Sequence, residues 1–383
     1  MLEINKIHLG HTLDLLKLVD DNSIDCCMTS PPYWGLRDYG EQTSTIWNAS
    51  KDCIHEWDDG HKTEQKSCPK DNEGALFESN TSHYCKKCGA WKGQLGLEPT
   101  PGAYIKHLCD IFDEVKRILK PTGTCFVNLG DTYGGSGAGT AEGDWDSKEV
   151  YQHPVGSAVA SKMRGTQYDK SLIMIPFRFA LEMQKRGWIV RNTIIWQKSN
   201  AMPSSATDRF TIDFEYIFFL TKNRNYFFEQ QYEPHQLCSI QRACRARTSE
   251  KLDSGQYATS WKNDYTGYAN MTERLENGEL RGVGAEGRNK RCVWSIPTKG
   301  FSGAHFATFC EELVETPLKA GCPKGGICLD PFIGSGTVAL VALKQGKRFL
   351  GTEINPEYLD IANKRIKGWR EQTSLEVFSN GTQ

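Results

Sequence analysis

Long apolar runs are missing from this 383-residue chain. No stretch approaches the roughly 20 residues that a membrane-spanning helix needs, and the mean hydropathy is −0.53. A net charge is missing too. The chain sets 46 Lys and Arg against 47 Asp and Glu, a formal charge of −1. That balance excludes a histone-like polycation and a long acidic tail. No basic start leads into an apolar run over Met1 to Leu16, so the expectation is a cytoplasmic protein without a secretory leader. There is no internal repeat, and the glycine turn that follows Asp330 is neither a G-x-G-x-x-G nor, having no Lys after it, a P-loop. Cysteine, by contrast, is plentiful. In a reducing compartment, 14 cysteines need roles other than disulfides.

The two ends of the chain alternate strand and helix patterns. Leu2–Ile7, Ser23–Ser30 and Thr124–Leu129 read as strands, as do Trp188–Gln197, Phe214–Leu220, Ile327–Asp330 and Arg348–Thr352. Helices are expected over His11–Leu18, 101–120, Ser171–Lys185, Ala307–Ala320, Thr337–Gln345 and Pro356–Lys367. Thr100 is the expected N-cap and Pro101 the first helical residue of the second of these. Such alternation predicts an open α/β sheet. Gly134–Arg164 reads as a long loop and Glu371–Gln383 as a frayed tail.

The turn Asp330-Pro-Phe-Ile-Gly-Ser-Gly-Thr337 lies between an expected strand and helix. Its glycines allow a tight turn and a close backbone approach to a ligand. Glu353 closes the next strand 23 positions after Asp330, the spacing of a carboxylate that binds ribose hydroxyls. With no phosphate-binding pattern present, a nucleoside cofactor is expected rather than a dinucleotide or a triphosphate.

Thr29-Ser-Pro-Pro-Tyr-Trp34 follows an apolar strand, and two prolines force the chain to turn there. An exocyclic amine on a nucleobase is a poor nucleophile, because its lone pair is delocalised into the ring. Hydrogen-bond acceptors for the NH2 group restore nucleophilicity. Ser30 offers a hydroxyl, Pro31 a carbonyl without a competing N–H, and Tyr33 a flat face for stacking.

Together these two segments resemble the S-adenosylmethionine-dependent DNA amino-methyltransferases, which methylate N4 of cytosine or N6 of adenine. The order, with the catalytic motif first, a variable middle and the cofactor motif last, resembles the beta class. The likeness spans residues 23–40, 97–131, 188–220 and 292–366. It implies a Rossmann-like methyltransferase α/β open sheet with helices on both faces. It also implies a catalytic tetrapeptide Ser30, Pro31, Pro32 and Tyr33. The implied cofactor pocket comprises Asp330, Phe332, Gly334, Ser335, Gly336, Thr337 and Glu353. Ala304-His-Phe-Ala-Thr308-Phe309 looks like the family's segment before the cofactor strand, which adds Thr308 and Phe309. By this resemblance the target base leaves double-stranded DNA, and the methyl group moves by direct displacement without a covalent enzyme–base intermediate. Ser as the first residue of the tetrapeptide leans toward cytosine N4, with adenine N6 as the alternative. More distant readings are methylation of RNA or of a protein glutamine, and a zinc-bearing DNA-binding protein without activity. The recognition sequence, the oligomeric state and a restriction endonuclease partner stay open.

Cys85-Lys-Lys-Cys88-Gly89 is a C-x-x-C knuckle, and Cys53-Ile-His55 and Cys68 lie upstream. This spacing predicts a structural, tetrahedral zinc site. Cys53, Cys85 and Cys88 are the first three ligands; His55 is the fourth, with Cys68 as its alternative. The segment Lys222–Lys299 carries 13 Lys and Arg against 9 Asp and Glu, and is rich in aromatics. It is the expected target recognition region. The resulting division is core 1–50, zinc insertion 51–95, core 96–221, recognition region 222–299, core 300–370 and tail 371–383.

Overall fold

A computed structural model describes residues 2–58, 83–135, 159–160, 163–204, 206–234, 287–298 and 310–380. Cys68, Thr308, Phe309 and most of the 222–299 segment lie outside the described residues.

The elements run β1 (Lys6–Leu9), α1 (Thr12–Leu16), β2 (Ile24–Thr29), β3 (Thr45–Trp47), β4 (Trp91–Gly93), α2 (Pro101–Ile118) and β5 (Leu119–Leu129). Then come α3 (Ile175–Lys185), β6 (Ile189–Gln197), β7 (Phe214–Thr221), β8 (Tyr232–Glu233), β9 (Arg288–Asn289) and β10 (Val293–Ser295). The chain ends with α4 (Glu311–Gly321), β11 (Ile327–Asp330), α5 (Thr337–Lys344), β12 (Arg348–Glu353) and α6 (Pro356–Asn380).

Eight strands form one sheet in the order β1-β12-β11-β2-β5-β7-β6-β10. Only β7 runs against its neighbours; the other pairings in this sheet are parallel. Parallel strands covered on both faces should be apolar throughout, and the burial follows that rule. Along β5, Cys125, Val127 and Leu129 face one core while Phe126 faces the other. On β7, Phe218 and Leu220 face the first core, Ile217 and Phe219 the second. Helices α1 to α3 fill the first core and α4 to α6 the second. This is the expected open α/β sheet with helices on both faces.

Helix α2 shows how the sequence builds a layer. Thr100 Oγ1 accepts the Ala103 N–H at 3.1 Å, and Pro101 opens the first turn. Tyr104, Leu108, Ile111, Phe112 and Val115 then recur on one buried face. Burying each such large side chain contributes roughly 1.5–3 kcal/mol. The sequence pattern carries this helix up to Pro121, but it stops at Ile118, where β5 begins. Leu119 pairs with Ile24 and Thr124 with Cys26, so Lys120–Gly123 bulge out of the ladder and Pro121 needs no ladder bond there. At the other end, the segment expected to fray from Glu371 continues α6 to Asn380. No Pro or Gly interrupts 371–380, and the first breaker is Gly381.

The chain forms two units, Met1–Phe228 with Val293–Gln383, and Glu229–Cys292. Within the second, β8 pairs with β9, and Glu233 binds Arg288 and Arg291 at 2.8 and 2.6 Å. Among the described residues no helix is long and apolar enough to cross a membrane.

Candidate active site

The chain order and the sheet order together place the two sequence motifs side by side. From β2 the connection runs through α2 to β5 on one side; from β11 it runs through α5 to β12 on the other. The carboxyl ends of β2 and β11 therefore flank a topological switch point, where open α/β sheets leave a crevice. Thr29 ends β2 and donates its hydroxyl proton to Asp330 Oδ1, at the end of β11, at 2.6 Å.

A cavity opens there, lined by Ser30 and Pro32 from the first motif and Pro331, Phe332 and Gly334 from the second. Glu353 and Tyr358 close one side, Gly10 and His11 another, and Trp47 and Leu95 a third. Both Glu353 oxygens accept backbone N–H groups, from Gly334 and Asn355, each at 2.8 Å. Burial pushes its carboxyl above the usual range, against those bonds. Asp330 lies just behind the cavity. Burial raises it to about 7, against the bonds from Thr29 and from the Phe332 N–H. Its Oδ2 is buried and has no hydrogen-bond partner among the described residues. An apolar cleft that ends in a carboxylate, with an unpaired acid oxygen behind it, suits a nucleoside that also carries a cation or donor.

Ser335, Gly336 and Thr337 do not line this cavity; they shape its turn. Gly336 holds φ +81°, and a Cβ there would meet Ala362 Cβ at 3.0 Å. Arg365 Nη1 donates to the Ser335 carbonyl at 2.7 Å, to its Oγ at 3.0 Å and to Thr337 Oγ1 at 3.2 Å. Both side chains are tied up by α6, and this is why they do not face the cavity. Sequence reasoning missed several lining residues, among them His11, Tyr39, Trp47, Gln94 and Tyr358. Asn355-Pro356 at a helix start was a usable signal for the Asn355 side of the cavity.

The tetrapeptide carries a polar network. Ser30 Oγ donates to Tyr33 Oη at 3.3 Å, and Tyr33 donates to Glu215 Oε2 at 2.7 Å. Asn128 Nδ2 donates to both Tyr33 Oη and Glu215. Lys198 pairs with the other Glu215 oxygen at 2.5 Å. Burial, then the Glu215 charge, pushes the Tyr33 phenol well up. Pro31 is buried, and the Pro32 carbonyl is already taken by the Tyr104 hydroxyl at 2.8 Å. Glu215, Asn128 and Lys198 belong to no motif; they converge from β7, β5 and the end of β6.

A second cluster brings Cys53, His55, Cys85 and Cys88 together, their ligand atoms all within 4.8 Å of one another. The Cys53 and Cys85 sulfurs are 3.8 Å apart, so the two thiols are not bonded. Cys88 Sγ is 3.5 Å from His55 Nδ1. Tetrahedral zinc, with bonds of about 2.3 Å to sulfur and about 2.0 Å to nitrogen, sets such edges at roughly 3.5–3.8 Å. Burial raises the Cys85 thiol, but the N–H groups of Cys88, Glu56 and Lys87 together with His55 bring it down to about 5. The donor set thus fits the metal.

Comparison with known proteins identifies the family. Residues 24–364 match the family model of N6/N4 DNA methylases. The type II methyltransferase M.Cfr9I of Citrobacter freundii is 32% identical over 96% of this chain and 90% of its own length. M.SmaI of Serratia marcescens, also a type II methyltransferase, is 29% identical over 94% of this chain and 90% of its own. The solved PvuII DNA methyltransferase, described as cytosine-N4-specific, superposes with a TM-score of 0.51 at 14% identity. The match covers 93% of this chain and 84% of the PvuII chain, and the two share the fold. Two motifs meeting at one switch point, within a chain that matches this family almost end to end, make the protein a DNA methyltransferase of the N6/N4 DNA methylase family.

Proposed function

We propose that this methyltransferase moves a methyl group from S-adenosylmethionine to the exocyclic N4 amine of a cytosine flipped out of double-stranded DNA. The direction of the hydrogen-bond chain at the tetrapeptide supports an exocyclic amine as the methyl acceptor, and Ser30 as the first residue of that tetrapeptide leans the reading toward cytosine. Ser30 gives its proton to Tyr33, and Tyr33 gives its own to Glu215. The Ser30 oxygen is thereby left with lone pairs free to accept an amine N–H at the cavity mouth. An amine bound this way regains nucleophilicity.

S-adenosylmethionine, when bound, supplies a methyl group on a positively charged sulfur. Phe332, Gly334 and Glu353 would hold the nucleoside side of that cofactor, and Asp330 would support them from behind the cavity. Thr308 and Phe309 belong to the same pocket by family resemblance. Ser335, Gly336 and Thr337 support it by fixing the turn. Pro31 and Pro32 hold the tetrapeptide rigid at the strand end, and Tyr33 presents the stacking surface. Catalysis by such a site is largely positioning. The fourfold Cys53, His55, Cys85, Cys88 cluster takes one structural zinc ion. A restriction endonuclease reading the same site is the companion expected from the type II names of the relatives.

Adenine N6 is the second reading, because both amines need similar acceptors. Methylated DNA digested to nucleosides separates the two. N4-methylcytosine is the expected product, and N6-methyladenine alone would overturn the assignment.

A further inference from the structure

We infer that the zinc cluster is a strut of the cofactor cavity, so that zinc occupancy and cofactor binding are coupled. The inference deepens the reading above and rests on the cavity being the cofactor site.

The wall nearest the cluster is thin. Strands β3 and β4 are three residues each and belong to no larger sheet; they pair through Thr45–Gly93, Ile46–Lys92 and Trp47–Trp91, and Trp91 also bridges to Tyr84. A lone two-stranded ribbon is marginal in water. Yet this ribbon supplies Thr45, Trp47 and, just beyond it, Gln94 and Leu95 to the cavity. Gln94 Oε1 in turn accepts the N–H of Tyr39, another wall residue, at 2.9 Å.

Both strands run, at the Trp47–Trp91 end of the ribbon, into the four candidate ligands. Cys53 and His55 follow β3, and Cys85 and Cys88 precede β4. Bridges join Trp57 to Cys85 and Tyr84 to Trp91, and the Cys85 N–H reaches the Ala90 carbonyl at 2.7 Å. Four metal bonds at that point clamp the two strands together at this end. Across the ribbon, the His107 ring of α2 stacks on Trp47 at 4.6 Å and on Trp91 at 5.7 Å. Trp47 also meets the cavity residue His11 edge-on at 5.0 Å. The clamp therefore reaches the cavity through one tryptophan and one glutamine, with no ligand atom in the cavity itself. Without metal the two strands part at the Trp47–Trp91 end, Trp47 and, through the weakened ribbon, Gln94 lose their fixed places, and one wall of the cavity opens. Linkage makes the effect reciprocal.

The test begins with metal analysis of the reduced, purified protein, where one zinc per chain is expected. Calorimetry with S-adenosylhomocysteine then compares the loaded, chelator-stripped and zinc-restored forms. Stripping should weaken binding by at least about tenfold, within the usual range of coupling between sites, and added zinc should restore it. S-adenosylhomocysteine should likewise slow zinc loss to the chelator. Cys88→His, which keeps a ligand, should retain affinity, while Cys88→Ser should lose it with the core sheet intact by circular dichroism. Equal affinity in stripped and loaded protein, or tight binding by a protein holding far less than one zinc, would overturn the coupling. Failure of the zinc-loaded protein to bind S-adenosylhomocysteine would instead overturn the cofactor reading, and the inference with it.

Discussion

The Thr29 hydroxyl donates to Asp330 Oδ1 at 2.6 Å, between residues 301 positions apart in the chain. This bond joins the last residue of the strand that carries the tetrapeptide to the last residue of the strand that carries the glycine turn. Thr29→Val keeps the shape and removes the donor. The carboxylate then retains only the Phe332 N–H on that oxygen. Losing a buried bond to a charged group costs about 1–3 kcal/mol. Urea unfolding at pH 8 should read that loss, and a smaller one at pH 5, where Asp330 is protonated.

Asp330 also sets a pH dependence of its own. Its carboxyl is raised to about 7 in the folded chain, mainly by burial, from an ordinary value of 3.8. The folded state therefore binds the extra proton between these values. Stability falls as pH rises from about 4 to about 7 and is level above that. The full effect is at most roughly 4 kcal/mol. Asp330→Asn removes it while keeping an acceptor for Thr29. Relative to the parent, the variant should gain stability between pH 5 and pH 8. A difference in melting temperature that stays constant across that range would exclude this origin.

Ser30→Ala removes the acceptor without disturbing the cavity floor. Methylation should fall by on the order of 10² or more, while calorimetric binding of S-adenosylhomocysteine persists. Glu215→Gln acts one step further back. It weakens the pull on the Tyr33 proton and leaves Lys198 without its carboxylate. Its turnover should drop with little change in cofactor affinity, and Glu215→Asp should recover part of the rate. A merely structural Glu215 would instead lower the melting temperature in both variants and leave the rate of the folded fraction unchanged.

Gly130 fixes the place of the Tyr33 ring. A Cβ at position 130 would lie 2.7 Å from Tyr33 Cε2 and 2.9 Å from Cδ2. Gly130→Ala must therefore push the ring aside, at the roughly 1–3 kcal/mol typical of overpacking. The expected result is a slower methylation rate at saturating cofactor. Tyr33→Phe, which leaves the ring in place, should be milder in its effect on DNA binding than Gly130→Ala. A gel-shift titration with duplex DNA checks the order.

The legible parts of the fold are the local ones. Strand β11, its glycine turn, α5 and β12 emerge from the sequence to within a residue, because each boundary is marked by Asp330, by Gly334 and Gly336, and by Gly346. The clustering of Cys53, His55, Cys85 and Cys88 is legible for the same reason, since such spacing is short-range. Glu215 is not legible. Its contact with Tyr33 spans 182 residues and depends on β7 lying one strand beyond β5, which no local pattern encodes. Trp47 reads as an isolated aromatic, since its partners His107 and Trp91 lie 60 and 44 positions onward. The side chains of Ser335 and Thr337 read as ligand contacts because the motif is shared, whereas Arg365 claims them from a helix that starts 19 residues beyond Thr337.

The single reversed strand has a use that reaches past the sheet. Because β7 runs backwards, the link from β6 turns round at the same rim where β2 and β11 end. Lys198 and Glu215 pin the two feet of that link to each other, and Glu215 pins it to Tyr33. Between them stand Met202 and Phe210, almost wholly exposed at 87% and 97%. The rim can thus vary its contact surface residue by residue while its feet stay anchored to the chemistry. Asn200 meanwhile holds Thr298, Asp208 pairs with Lys170 and Arg209 lies over the Tyr133 ring, so exchange of the exposed apolar residues, rather than of the whole link, is the graft that keeps these contacts.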